Sequence, residues 1–190
     1  MADRGLMATT PLGGYSTTIG GISITEPTGL SLVAIAPSQG EEAALAQCLG
    51  DGFGLDWPET GQSTVDGDTR LLGMARDQAF MLFDHDGPDA VAAVRAKLGQ
   101  AGWLTDQSDG WAILRIAGAR SRDALERICL LDLHPEVFTV GSATRTVMEH
   151  LSVIIVREEA DTFLLMSPTS SAESFLDAVE TSVRNILPVA

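Results

Sequence analysis

Two α+β halves, each of βαββαβ type and packed on the other through its sheet, are the fold that the sequence predicts. Three observations carry this expectation. Short apolar runs bounded by Gly, Pro and Asp alternate with amphipathic stretches in the order β-α-β-β-α-β between residues 30 and 105. A similar order begins again at Trp111 and closes on an amphipathic stretch ending near Leu187. A chain of 190 residues with 45% apolar side chains can bury a core without disulfides or metals. The expected division is an extended N-terminal arm over residues 1–28, a first half over 29–105 and a second half over 106–190.

The arm is rich in Thr and Gly, with Gly13-Gly14 and Gly20-Gly21 spacing out Ile19, Ile22 and Ile24. Alone it buries too little to offset its ordering entropy, so it is either frayed or laid as a strand on a neighbouring surface. Leu30–Ala36 reads as a mostly buried strand closed by Pro37. Ser38 and Glu41 fit a capping box for a helix carrying Ala44, Leu45, Cys48 and Leu49 on one face, with Gly50 as its stop. Residues 50–68, with five glycines, read as a long loop anchored by Trp57, which is less readily a ligand platform.

Thr69–Ala75 and Gln78–Asp84 predict paired strands across Arg76-Asp77. Gly87-Pro88 opens a helix with Val91, Val94 and Leu98 on one face and proline in its first turn, and Trp103-Leu104 starts a further strand. That order is the split motif of ferredoxin-like domains. In the second half Trp111–Ala117 predicts a strand and Ser121 caps a helix reaching about Cys129. Strands follow near 143–150, 151–157 and 162–167. The last helix has Ser170 with Glu173 as a capping box, an apolar face from Ala172 to Leu187, and Pro188 as its stop.

Twelve basic against 26 acidic residues give a net charge of −14, and Lys97 is the only lysine. Phosphate backbones would be repelled, so no nucleic-acid partner is expected. No apolar run reaches a membrane span and the first residues do not read as a signal peptide, which gives the expectation of a cytoplasmic protein without a membrane partner. Cys48 and Cys129 lie far apart and outside any C-x-x-C pair, so reduced, buried thiols are expected.

Candidate chemistry is thin. The glycines of 50–68 follow a helix rather than a strand, no G-K-[ST] or G-x-S-x-G occurs, and H-E-x-x-H is absent. His85, between Asp84 and Asp86, reads first as a solvated turn and only distantly as a metal ligand. His134, two residues after Asp132 and followed by Pro135, could be held for acid-base work, but the same side chains also suit an irregular turn, and that reading is preferred. His150 has no partner nearby in sequence, and Trp111 and Phe138 are expected in the core. Arg115 could be an exposed edge charge, a buried ion-pair member or a partner contact. A good core without a convergent polar constellation points to a binding or structural module.

Four linked stretches carry a resemblance: Thr105-Asp-Gln-Ser-Asp-Gly-Trp111, the strand ending Ile116-Ala-Gly118, Leu131-Asp-Leu-His-Pro-Glu-Val-Phe138 and Gly141-Ser-Ala-Thr-Arg-Thr146. Together, over about the last 85 residues, they resemble the gamma subunit of heterotetrameric sarcosine oxidase. The resemblance implies a noncatalytic assembly role beside alpha, beta and delta subunits, with alpha as the first contact. It also implies that FAD, FMN, NAD and tetrahydrofolate are held by the partner subunits and that this chain holds no cofactor. The same stretch is similar, more distantly, to the folate-binding aminomethyltransferase (glycine-cleavage T-protein) family, which implies a T-protein-like fold and keeps a stand-alone folate-binding protein as the alternative. Where that family carries an acidic pair, this chain has Leu151 and Ser152. Ile19 and Ile22 of the arm and Asp132, His134 and Phe138 of the turn are the expected partner contacts, because both segments combine apolar groups with irregular backbone.

Overall fold

The computed structural model describes residues 9–85, 87 and 89–188. In chain order the elements are β1 (Ser16–Ile19), β2 (Ile22–Thr25), β3 (Leu30–Pro37), α1 (Glu42–Phe53), β4 (Ser63–Asp66), β5 (Thr69–Ala75), β6 (Gln78–Asp84), α2 (Ala90–Leu98) and β7 (Gly102–Asp106). They continue with β8 (Trp111–Ala117), α3 (Ser121–Glu126), β9 (Ala143–Met148), β10 (Leu151–Glu159), β11 (Thr162–Pro168) and α4 (Ala172–Asn185). Two antiparallel sheets result, one ordered β4-β5-β6-β3-β7 and the other β1-β2-β8-β11-β10-β9.

The sheets lie face to face between two helical layers. Val33, Ile35, Leu71 and Met81 turn toward α1 and α2, where they meet Leu45, Leu49, Val94 and Leu98. Leu114, Ile116, Val153 and Phe163 turn toward α3 and α4, where they meet Leu125, Phe175, Val179 and Val183. The alternate residues Leu32, Leu72, Phe80, Ile154, Val156 and Leu164 close the space between the sheets. Because side chains alternate along a strand, a strand buried on both faces must be apolar nearly throughout, as β6 and β11 are.

The two sheets share one plan. β4, β5, β6, β3 and β7 correspond in position to β9, β10, β11, β8 and β2. In the first half the strand beside β3 follows α2; in the second the place beside β8 is taken by β2, with Ser23 opposite Ala117 and Ile24 opposite Ile116. The halves are joined reciprocally: Ser63 N donates to Gly141 O at 2.7 Å and Ala143 N donates to Gly61 O at 2.9 Å. Gly61 and Gly141 have φ of 87° and 94°, a region that suits glycine, and each stands at the entry to its edge strand.

Several local expectations change. α1 does not stop at Gly50 but runs to Phe53 and ends on left-handed Gly54. Gly52 inside it has a tertiary reason, since a Cβ there would come to 3.0 Å from Lys97 Cβ on α2, whereas a Cβ on Gly50 would meet open space. The stretch read as one loop therefore holds the last turn of α1 and also β4. None of the three serine caps forms: α1, α3 and α4 begin at Glu41, Arg120 and Ser171 without a side-chain cap. Backbone turns satisfy these starts instead, as where Glu41 N donates to Ser38 O, and Ser121 Oγ is spent on Asp161 O at 2.9 Å. α2 is capped by Asp89, whose carboxylate accepts from Ala92 N at 2.8 Å. Pro88, expected in its first turn, lies outside the described residues.

Candidate functional site

The turn around His134 is built by its own side chains. Asp132 Oδ1 accepts from His134 N at 2.9 Å, His134 Nδ1 accepts from Glu136 N at 3.4 Å, and His134 O accepts from Val137 N and Phe138 N. Both Asp132 and His134 are exposed, and their polar atoms serve the backbone as in an Asx turn. Leu133 and Phe138 pin the turn to the core between the six-stranded sheet and α3 and α4. Phe138, expected both in the core and at a partner surface, is interior. The residues that point outward are ones the sequence reading passed over: Leu130, Val137 and Val140, at 82%, 64% and 58% exposure.

The arm corrects a second expectation. Ile22 and Ile24 are fully buried in the same core and Ile19 packs against it, because β2 is a strand of that sheet and its apolar face must turn inward. Ile22 is therefore not free to meet a partner, while Ile19 is partly buried against the same core. Two anchors hold the segment. The buried Glu26 carboxylate accepts from Thr10 Oγ1 at 2.6 Å, Leu12 N at 2.9 Å and Gly14 N at 2.7 Å. Tyr15 Oη donates to Glu180 on α4, which Arg184 also meets at 3.1 Å. The bond from Tyr15 lowers the Glu180 carboxyl below its ordinary value and, reciprocally, raises the Tyr15 phenol.

A cleft of about 420 Å³ between the halves carries the densest charge. Arg115 on β8 reaches across β11 to Glu158 on β10 with two bonds, Nε to Oε2 at 2.6 Å and Nη2 to Oε1 at 3.1 Å. This settles Arg115 as a half-buried ion pair. Arg70 on β5 donates to Ser63 Oγ at 3.0 Å, and Asp68 and Asp84 line the same space. Burial lowers the Arg70 guanidinium, while the bonds to Glu158 raise that of Arg115. Guanidiniums are not proton acceptors, and Glu158 is already engaged; each bond stays within its own sheet, so the arrangement gives the cleft between the halves a mixed-charge wall.

Leu151 and Ser152 begin β10; Leu151 packs on the helix-side core and Ser152 is exposed. His85, expected in a solvated turn, is half-buried with its ring 5.7 Å from that of Phe83. His150 is exposed in the β9–β10 hairpin. Cys129 is buried with Sγ 3.9 Å from Thr146 Oγ1, and Cys48 is half-buried. Among the described residues no three His, Cys, Asp or Glu side chains converge on a metal-sized site, and no helix is long and apolar enough to cross a membrane.

The model of a family described as "Sarcosine oxidase, gamma subunit family" matches residues 38–183, which takes in most of both halves. The chain is 28% identical over 142 residues to sarcosine oxidase subunit gamma of Corynebacterium sp. (strain P-1), covering 74% of this chain and 68% of that one. It is 25% identical over 160 residues to the subunit gamma of Corynebacterium sp. (strain U-96), covering 84% and 71%. Among solved structures, a chain of heterotetrameric sarcosine oxidase from Corynebacterium sp. U-96 in complex with pyrrole 2-carboxylate is similar with a TM-score of 0.77 at 22% identity, over 89% of this chain and 88% of that one. Aminomethyltransferase T of the glycine cleavage system from Bartonella henselae is similar with a TM-score of 0.67 at 12% identity, over 90% of this chain and 56% of that one. The two structural likenesses show a shared, T-protein-like α+β fold.

Proposed function

Because the chain belongs to the sarcosine oxidase gamma subunit family, we propose that it is a noncatalytic subunit of a heterotetrameric sarcosine oxidase, docking on the larger subunits and stabilising the assembly. The match over residues 38–183 carries this reading, since it spans both halves and the junction between them. The site geometry supports it. Asp132 and His134 are spent on their own turn, Glu158 is engaged by Arg115, and Leu151 and Ser152 stand where the folate-transferase family has acids. In this reading oxidative demethylation of sarcosine, and the FAD, FMN, NAD and tetrahydrofolate it uses, belong to the alpha, beta and delta partners, with alpha as the first contact, in the cytoplasm.

Co-expression with the other three subunits followed by size-exclusion chromatography tests the proposal. The chain is expected to elute with them; a chain that elutes alone, beside an oxidase equally active and stable without it, contradicts the subunit role. Calorimetric titration of the purified chain with tetrahydrofolate separates the folate-binding alternative, which needs saturable heat where the subunit reading expects none.

A further inference from the structure

Single exposed apolar side chains are ordinary, but clustered ones mark interaction sites. Among the described residues six large apolar side chains are exposed, and four of them, Leu130, Val137, Val140 and Val147, fall between residues 130 and 147. They belong to one edge of the molecule. The connection from α3 to β9 starts beside the end of β9, where Leu130 N donates to Val147 O at 3.4 Å, and returns to its start at Gly141. It therefore runs along β9, the outer strand of its sheet, turning Leu133 and Phe138 inward and Leu130, Val137 and Val140 outward.

The first half supplies an internal control. Its corresponding connection, from Gly54 to Gln62, also turns apolar groups inward, Leu55 and Pro58, yet its exposed side chains are the polar Asp56, Glu59, Thr60 and Gln62. Through the reciprocal bonds at Gly61 and Gly141, Thr60 holds the place that Val140 holds in the second half. Val65 on β4 is exposed as well, but the connection itself turns polar groups outward in one half and Leu130, Val137 and Val140 in the other, so the fold does not require an apolar connection.

Resting on the subunit reading above, we infer that the Leu130–Val147 strip is the centre of the surface by which this chain docks on a larger partner subunit, through an apolar patch on that subunit rimmed by Arg or Lys. Charge selects the occupant. Residues 130–140 carry Asp132 and Glu136, both exposed, and neither Lys nor Arg. A second copy would bring those acids onto themselves in a chain of net charge −14, whereas a basic rim neutralises them. Arg145, the basic residue of β9, is exposed on the same strand face as Val147 with its guanidinium 5.5 Å from the Phe80 ring, and so borders the strip at its β9 end, apart from the acids of 130–140.

The test uses the co-expressed four-subunit complex, with capture of the tagged chain read against NaCl concentration. Leu130→Asp and Val137→Asp are expected to weaken capture of the large subunits about tenfold or more, as truncating a central contact does. Thr60→Asp at the counterpart edge should leave capture unchanged, and Asp132→Lys with Glu136→Lys should lower it and flatten its salt dependence. Both strip residues are exposed, so folding is checked by thermal melting, and Val137→Ser serves should either Asp variant melt early. Strip variants that melt and assemble like the parent overturn the strip while the subunit reading stands, since the parent chain still assembles. A parent chain that fails to assemble overturns both, and a strip variant that converts a dimer of this chain alone to monomer overturns the choice of partner.

Discussion

At the scale of residues, one buried and one partly buried polar contact show how the chain spends its polar atoms. Arg157, 4% exposed, places Nη1 2.7 Å from Phe138 O and Nη2 2.6 Å from Ala160 O, so a buried cation is solvated by carbonyls and ties the His134 turn to the β10–β11 hairpin. Arg157→Met would leave both carbonyls without their donor and is expected to cost about 2–4 kcal/mol in urea unfolding; a loss below about 1 kcal/mol would contradict that role. Tyr15 and Glu180 tie the arm to α4, and the sign of their pH dependence follows from their shifts. Glu180 is lowered, so its contribution is present above the ordinary value of 4.5 and is lost as pH falls through its lower folded value. Tyr15 is raised, so its contribution is present below 10.0 and is lost as pH rises through its higher folded value. Hydrogen exchange at β1 and β2 should therefore quicken on acidification below that range, and Tyr15→Phe should remove most of the acceleration; an unchanged profile in the variant would contradict the tether. His134→Ala is expected to leave sarcosine turnover per assembled complex within about twofold, given how little a transition-state group could be removed unnoticed. Asp132 and His134 were legible from sequence as turn formers. Phe138 was expected both in the core and at a partner surface, and Val137 at neither, because an irregular segment has no period from which direction can be read.

At the scale of elements, legibility followed the locality of the cause. The β5–β6 hairpin is read to the residue because its apolar runs and the Arg76-Asp77 turn lie within one stretch. The Ser-x-x-Glu patterns misled, since each falls at a bend whose backbone already satisfies the helix start. Gly50 looked like a stop, whereas the helix runs on through it, and Gly52 answers to Lys97, 45 residues further on. β2 is the clearest case, for its neighbour β8 lies more than 90 residues away and nothing local announces the pairing. Ile24→Ala should cost about 2–4 kcal/mol in the isolated chain, as for a core isoleucine, and deletion through Glu26 should lower the melting temperature of the chain itself. A deletion that melted unchanged but lost assembly would return the arm to the interface.

At the scale of the whole molecule, the order β-α-β-β-α-β and the near repeat were enough to foresee two α+β layers meeting through their sheets, and the four-layer body agrees. The reciprocal joint at Gly61 and Gly141 was hidden, because its two strands come from different halves and only the shared Gly-x-x-Thr spacing of Gly61–Thr64 and Gly141–Thr144 hints at it. Against that near symmetry the differences stand out: a buried Arg157 where the first half has Gly73, and an apolar edge where the first half has Asp56, Glu59 and Thr60. The first difference serves folding, and the second faces outward. Native mass spectrometry of the co-expressed alpha, beta, gamma and delta subunits tests the central claim most directly. The account predicts an intact assembly holding this chain in one copy; an active assembly of the other subunits from which the chain is absent would contradict it.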